Sequence, residues 1–194
     1  MYMIRGTFTG NSSVHNANKT RLYEALGQIV VSFRALEKGV DGLITCSQDE
    51  SSSLNALLLE SIPFTQKISL MDELIRARHS VQELGALNQT LIALVERCHS
   101  CEHQRNEWIR SYWVPELEAK EGSVMRLQRQ ETENLELVPC QLTELENFIV
   151  VLNATVAYLC GFHQKLYASF KRIRNIPASE TYLKPLQLVE GDTP

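Results

Sequence analysis

From Leu22 onward the apolar residues fall at positions 22, 26, 29, 33, 36, 40 and 43, a run of alternating four- and three-residue steps. Such spacing places every one of them on a single narrow stripe, which only a helix accommodates. Three repeats predict a helix of roughly 35 Å at ~1.5 Å per residue. The same pattern returns late in the chain at Leu145, Ile149, Leu152, Val156, Leu159, His163, Leu166, Phe170 and Ile173. Two further helices are predicted between them. One runs from about Leu54 to Ser80 with Leu57, Phe64, Ile68, Met71 and Ile75 inward, and Pro63 in its first turns either kinks it or splits off a leading piece. The other covers Ala86–Trp113, after a turn at Gly85 and before Pro115. Four long helices with mainly short connections predict an all-α fold, an antiparallel four-helix bundle. Seams this regular also suit an interface between two copies, so a homodimer is expected.

Before the last helix the pattern changes. Ser123–Arg129 and Glu133–Val138 alternate apolar and polar residues, which predicts a small β-hairpin or two extended arms. Thr143 and Glu146 then have capping-box spacing. The 194 residues fit one domain, here 20–175, with a polar flexible arm at 1–19 and a polar tail at 176–194. A net charge of −4 argues against broad, sequence-independent nucleic-acid binding but leaves room for a local basic patch. Five cysteines, an odd number mostly in apolar segments, read as unpaired thiols of a reducing compartment and point to the cytoplasm. No secretory h-region is seen at the N-terminus. The uncharged stretch Asn147–Gln164 keeps a helical stripe and is shorter than a typical span, so it reads as a core helix with no membrane role.

Candidate sites are few. Leu87, Leu91, Leu94, Cys98, Cys101, Arg105, Trp108 and Tyr112 form one helical stripe, and the arginine is the exception in it. A charge there is costly unless paired and hydrogen-bonded, so Arg105 marks a buried ion pair or a site. Cys98, His99, Cys101 and His103 have zinc-like spacings, but on a continuous helix the two thiols centre roughly 150° from the two imidazoles. Two core thiols and two surface histidines are expected instead, with no metal and no cofactor. His163 lies on an apolar stripe and reads as a core histidine, with proton transfer as its functional alternative. No Gly-rich phosphate loop, nucleophile elbow or acidic metal cluster occurs.

Around Arg105-Asn106-Glu107-Trp108-Ile109-Arg110-Ser111-Tyr112-Trp113 the chain resembles the HEPN superfamily of four- to five-helix domains, common in prokaryotic toxin, abortive-infection and nucleotidyltransferase-associated proteins. Phe33-Arg34-Ala35-Leu36-Glu37 in the first helix and Pro63–Ile68 before the motif helix belong to the same resemblance, which spans about residues 20–172. In catalytic members an arginine and a polar residue precede a histidine that serves metal-independent RNA cleavage. Arg105 and Asn106 match the first two positions; Arg110 or Ser111 stands where the histidine would fall. Neither side chain replaces imidazole as a base near neutral pH.

The resemblance therefore implies a non-catalytic, dimeric interaction module of a cytoplasmic prokaryotic toxin or defence system, with a protein partner. Its alternative is a metal-independent ribonuclease using Arg105, Asn106 and a base such as His163 or His103. Another is an RNA or nucleotide binder using Arg105, Asn106, Arg110 and the basic end of the last helix. In the structural reading Arg105 is buried and paired with a carboxylate, Glu37 first, then Glu60 or Asp72. In the functional reading Arg105, Asn106 and Arg110 present donors to a phosphate. Trp108, Tyr112 and Trp113 are read as core or interface, with base stacking as the alternative.

Overall fold

Pro63 decides the helix count. A computed structural model describes residues 12–47, 53–79, 84–115, 117, 121–129 and 135–174. The described elements are α1 (Ser12–Cys46), α2 (Ser53–Ser61), α3 (Phe64–Arg78), α4 (Ala86–Arg110), β1 (Tyr112–Val114), β2 (Ser123–Arg129), β3 (Leu135–Gln141) and α5 (Leu142–Arg174). The protein is thus mostly helical, with one small sheet. The expected second helix is two: Pro63 brings no N–H and biases Ile62 away from helical backbone, and α3 starts directly after it. Leu57, expected inward, is 66% exposed on the short α2.

Side-chain contacts give the helix directions. Arg21 pairs with Glu146, Gly39 abuts Leu159, and Cys46 meets His163, so α1 and α5 run parallel. Thr65 bonds Glu102 and Arg76 bonds Asn88, so α3 and α4 are antiparallel. Cys101–Thr155 and Arg97–Tyr158 make α4 and α5 antiparallel too. A contact between Lys38 and Glu60 shows α2 returning along α1. Among the described residues there are five helices whose directions alternate, so the first and last of them share a direction.

Over their described residues both four-three seams lie mainly inside this one chain, with Leu26 and Val156 partly buried. Leu22, Ile29, Phe33, Leu36, Val40 and Leu43 of α1 are buried, as are Leu145, Ile149, Leu152, Leu159 and Leu166 of α5. Each such side chain contributes about 1.5–3 kcal/mol of transfer free energy. Gly39 allows the two helices to approach, since a Cβ there would lie 2.7 Å from Leu159 Cδ2. By length and composition α5 is apolar enough to cross a membrane, but its inward face is core.

The sheet is an antiparallel meander in the order β1-β2-β3. β2 falls where the alternation put it, and β3 is shifted toward the C-terminus. The third strand, β1, is unexpected. Tyr112-Trp113-Val114 carries strand-favouring side chains ahead of Pro115, so the helix stops at Arg110 rather than Trp113. The expected arm at 1–19 is helical from Ser12; residues 1–11 and the tail 176–194 lie outside the described residues. Asn18 anchors the sheet to α1: its Oδ1 accepts the Gly122 N–H at 3.1 Å and its Nδ2 donates to the Ser123 carbonyl at 3.0 Å. Gly122 sits at φ 76°, a left-handed conformation suited to glycine, and its carbonyl accepts the Leu142 N–H at 2.8 Å. The α5 cap lies two residues earlier than expected. The Gln141 N–H donates to Glu144, while Glu146 is taken by Arg21.

Candidate functional site

Stripe position and pairing separate at the end of α4. Leu91, Leu94, Cys98, Cys101 and Trp108 are buried as their spacing requires, but Arg105 is only half-buried. Its guanidinium lies 5.1 Å from the centre of the Phe33 ring, and its Nη1 donates to Asn106 Oδ1 at 2.9 Å. Its Nε is shielded and has no hydrogen-bond partner among the described residues. Glu37, the first expected partner of Arg105, pairs with Arg34 and Lys67 instead. Glu60 contacts Lys38 and Asp72 contacts Arg76.

The buried ion pair of this fold therefore belongs to Lys67. This side chain is 0% exposed, with Nζ 2.9 Å from both Glu37 Oε1 and Asp41 Oδ1. The two carboxylates stand one turn apart on α1 and straddle the ammonium, which offsets the desolvation that a single partner leaves uncovered. Burial alone would raise the Glu37 pKa; hydrogen bonds from Lys67 and Arg34, with their charges, outweigh it and hold the carboxyl below its ordinary value. Lys67 had a signal that sequence reading passed over. It lies three residues after Phe64 and four before Met71, within an apolar stripe, as Arg105 does in its own.

Next to this cluster a groove of about 360 Å³ opens between α1, the α2–α3 junction and α4. Arg34, Arg105, Asn106 and Arg110 line it together with Phe33 and Phe64, whose rings meet edge to face at 4.8 Å. Two carboxylates also line it. Glu37 is already held by Lys67, and Glu102 accepts the Thr65 hydroxyl at 2.8 Å. Arg105 and Arg110 have no ion-pair partner among the described residues. Asn106 and Arg110 also border a second cavity, about 480 Å³, reaching Tyr112, Arg126, Leu127 and Leu135 of the sheet. What the arrangement offers is a set of convergent N–H donors beside an aromatic wall, a geometry suited to an oxyanion.

The aromatics divide. Trp108 is buried between the Trp113 ring, 6.2 Å away and stacked, and the Arg126 guanidinium at 4.8 Å. Trp113 Nε1 donates to the Trp108 carbonyl at 3.1 Å. Those two tryptophans are packing; Tyr112 is 68% exposed. No family model, no curated protein and no solved structure matches this chain. Its function rests on the geometry alone.

Among the described residues no histidine lines the groove. His163 is half-buried on α5, with Nε2 3.2 Å from Cys46 Sγ at the end of α1, and burial lowers its pKa. His99 and His103 are exposed, whereas Cys98 and Cys101 face the core, as the helical angles require. Burial pushes the Cys98 thiol up to about 12 and the Cys140 thiol up to about 11. In the folded protein an aromatic disulfide reagent at neutral pH should therefore label Cys160 first and Cys46 more slowly. Cys98, Cys101 and Cys140 should react only on unfolding; fast labelling of Cys98 and Cys101 would show the α4–α5 core to be open, and of Cys140 the junction of β3 with α5.

Proposed function

We propose that this protein is a non-catalytic, HEPN-like helical bundle that binds a phosphate-bearing ligand, such as a single RNA strand, through the α4 groove. The observation that carries this reading is the convergence of Arg105, Asn106 and Arg110 on one groove, where Glu37 is held by Arg34 and Lys67 and leaves Arg105 and Arg110 without an ion pair among the described residues. Arginine forks match phosphate oxygens, and the Phe33 ring, 5.1 Å from the Arg105 guanidinium, supports it without neutralising it. Cleavage is not part of the proposal. An imidazole has to reach the reacting atoms, and His163 is engaged with Cys46.

The test is binding of a 5′-phosphorylated single-stranded RNA at two salt concentrations, in EDTA, with cleavage followed in parallel. Intact RNA is expected, with affinity falling on salt addition at a log–log slope of about −0.7 per phosphate contacted. Arg105→Ala and Arg110→Ala should each weaken binding about tenfold and each flatten that slope. Metal-free cleavage lost on Arg105→Ala would instead establish a ribonuclease, and absence of any binding would overturn the phosphate reading. Arg105→Ala should cost only about 1 kcal/mol of folding stability, the worth of its ring contact and its bond to Asn106. A loss of 3 kcal/mol or more in urea unfolding would return Arg105 to a structural role.

A further inference from the structure

Asn106 and Arg110 line the larger cavity as well as the groove, so the two spaces meet at the end of α4. Both have volumes of the size that holds small ligands, roughly 300–1,000 Å³. They differ in charge. In the groove Arg105 and Arg110 stand without an ion pair among the described residues, whereas in the cavity Glu107 and Arg126 pair at 3.2 Å and offset each other. Apart from Arg110, the rest of the cavity wall is uncharged. Tyr112 and Leu135, 68% and 67% exposed, give it apolar surface together with Leu127, and Ser111 and Gln128 give it polar edges. Solvent-facing apolar side chains gathered on a concave, partly polar wall mark a binding site. At the boundary, Asn106 Oδ1 accepts from Arg105, which leaves its Nδ2 without a partner among the described residues.

We infer that the larger cavity is a nucleobase subsite, so that groove and cavity together hold one nucleotide, its phosphate on Arg105 and Arg110 and its base against Tyr112. The inference rests on the phosphate reading of the groove and adds the group that follows the phosphate. A base is uncharged, apolar on its faces and polar at its edge, and the cavity offers the same division. Tyr112 supplies a ring to stack on, and the Gln128 carboxamide, which both donates and accepts, can meet a base edge. Spacing agrees as well. Arg110 closes α4 and Tyr112 opens β1, so cation and ring stand two residues apart, at most ~7 Å along the chain, a span that one ribose bridges.

Calorimetric titration of the full chain with adenosine 5′-monophosphate, ribose 5-phosphate and adenosine tests it. The monophosphate is expected to bind about tenfold more tightly than ribose 5-phosphate, a factor that base–aromatic stacking supplies. Tyr112→Ala should abolish that difference while leaving ribose 5-phosphate binding unchanged, and Tyr112→Phe, which keeps the ring, should retain it. Arg105→Ala should weaken the monophosphate and ribose 5-phosphate alike. Because Tyr112 is exposed, both of its variants should fold, which far-UV circular dichroism checks. Equal affinity for the monophosphate and ribose 5-phosphate overturns the base subsite and leaves the phosphate groove standing. A difference indifferent to Tyr112→Ala also overturns the subsite placed here. Adenosine binding as tightly as its monophosphate overturns the phosphate reading and the joint site with it, and failure of all three to bind overturns both.

Discussion

Lys67→Met should destabilise the fold by about 3 kcal/mol, although it replaces a charged side chain with an apolar one of similar length. Breaking a buried ion pair typically costs 3–5 kcal/mol, because the partner charge stays behind in a poorly solvated place. Here two carboxylates stay behind, Glu37 and Asp41, whose side chains are 18% and 12% exposed. Arg34 still reaches Glu37, and Lys38 lies 3.5 Å from Asp41, which places the cost at the lower end of that range. Adding Glu37→Gln and Asp41→Asn to Lys67→Met should recover much of the loss, since no stranded charge then remains. Urea unfolding of the single and triple variants decides the matter; a single-variant cost below about 1 kcal/mol would show that water already reaches the cluster. The acid limb supplies a second check. Because the Glu37 pKa is lowered on folding, its contribution is complete above the ordinary value of 4.5 and is lost as pH falls through the lower folded value. Without Lys67 that acid-sensitive contribution shrinks and protonation relieves the stranded carboxylates, so the stability gap between Lys67→Met and the wild type should narrow as pH falls below 4.5.

Trp108→Ala should cost about 3–5 kcal/mol, the range for a large buried aromatic. Its ring is 8% exposed and fills the junction between α4 and the sheet, sandwiched by Trp113 and Arg126. Removing it leaves a cavity and takes away the surface on which the Arg126 guanidinium rests. The damage should be local as well as global: β1 and β2 amides should exchange faster than those in the middle of α5. Trp108→Phe should lose less than half as much. Equal exchange in both regions would mean that the sheet is held by contacts other than Trp108, those of Asn18, Gly122 and the Arg126–Glu107 pair.

Much of the helical fold was legible because a stripe repeats. The α1 and α5 seams, the turn at Gly85 and the strand at Ser123–Arg129 follow from periodicity and from residues with special backbone preferences. Pro63 marked a break whose consequence, separate helices α2 and α3, depended on whether α2 could fold back along α1. Tyr112-Trp113-Val114 continued the apolar stripe of α4 well enough to read as helix. Pairing with Met125, Arg126 and Leu127 drew it into the sheet, and those residues are eleven or more positions further along the chain.

The candidate site was legible only in part. Arg105, Asn106 and Arg110 could be singled out as residues, and they do share a groove. The carboxylate expected for Arg105 was the wrong assignment: Glu37 goes to Arg34 and to Lys67, a second cation in an apolar stripe that the same reasoning passed over. By itself the sequence determined which faces are apolar, where helices break and which residues carry unusual chemistry, since these depend on neighbours one turn away. Only the tertiary structure decided that Lys67 takes Glu37 and Asp41, that Arg105 rests on Phe33, and that both seams close on themselves. Those outcomes depend on distances between helices, which no local spacing encodes.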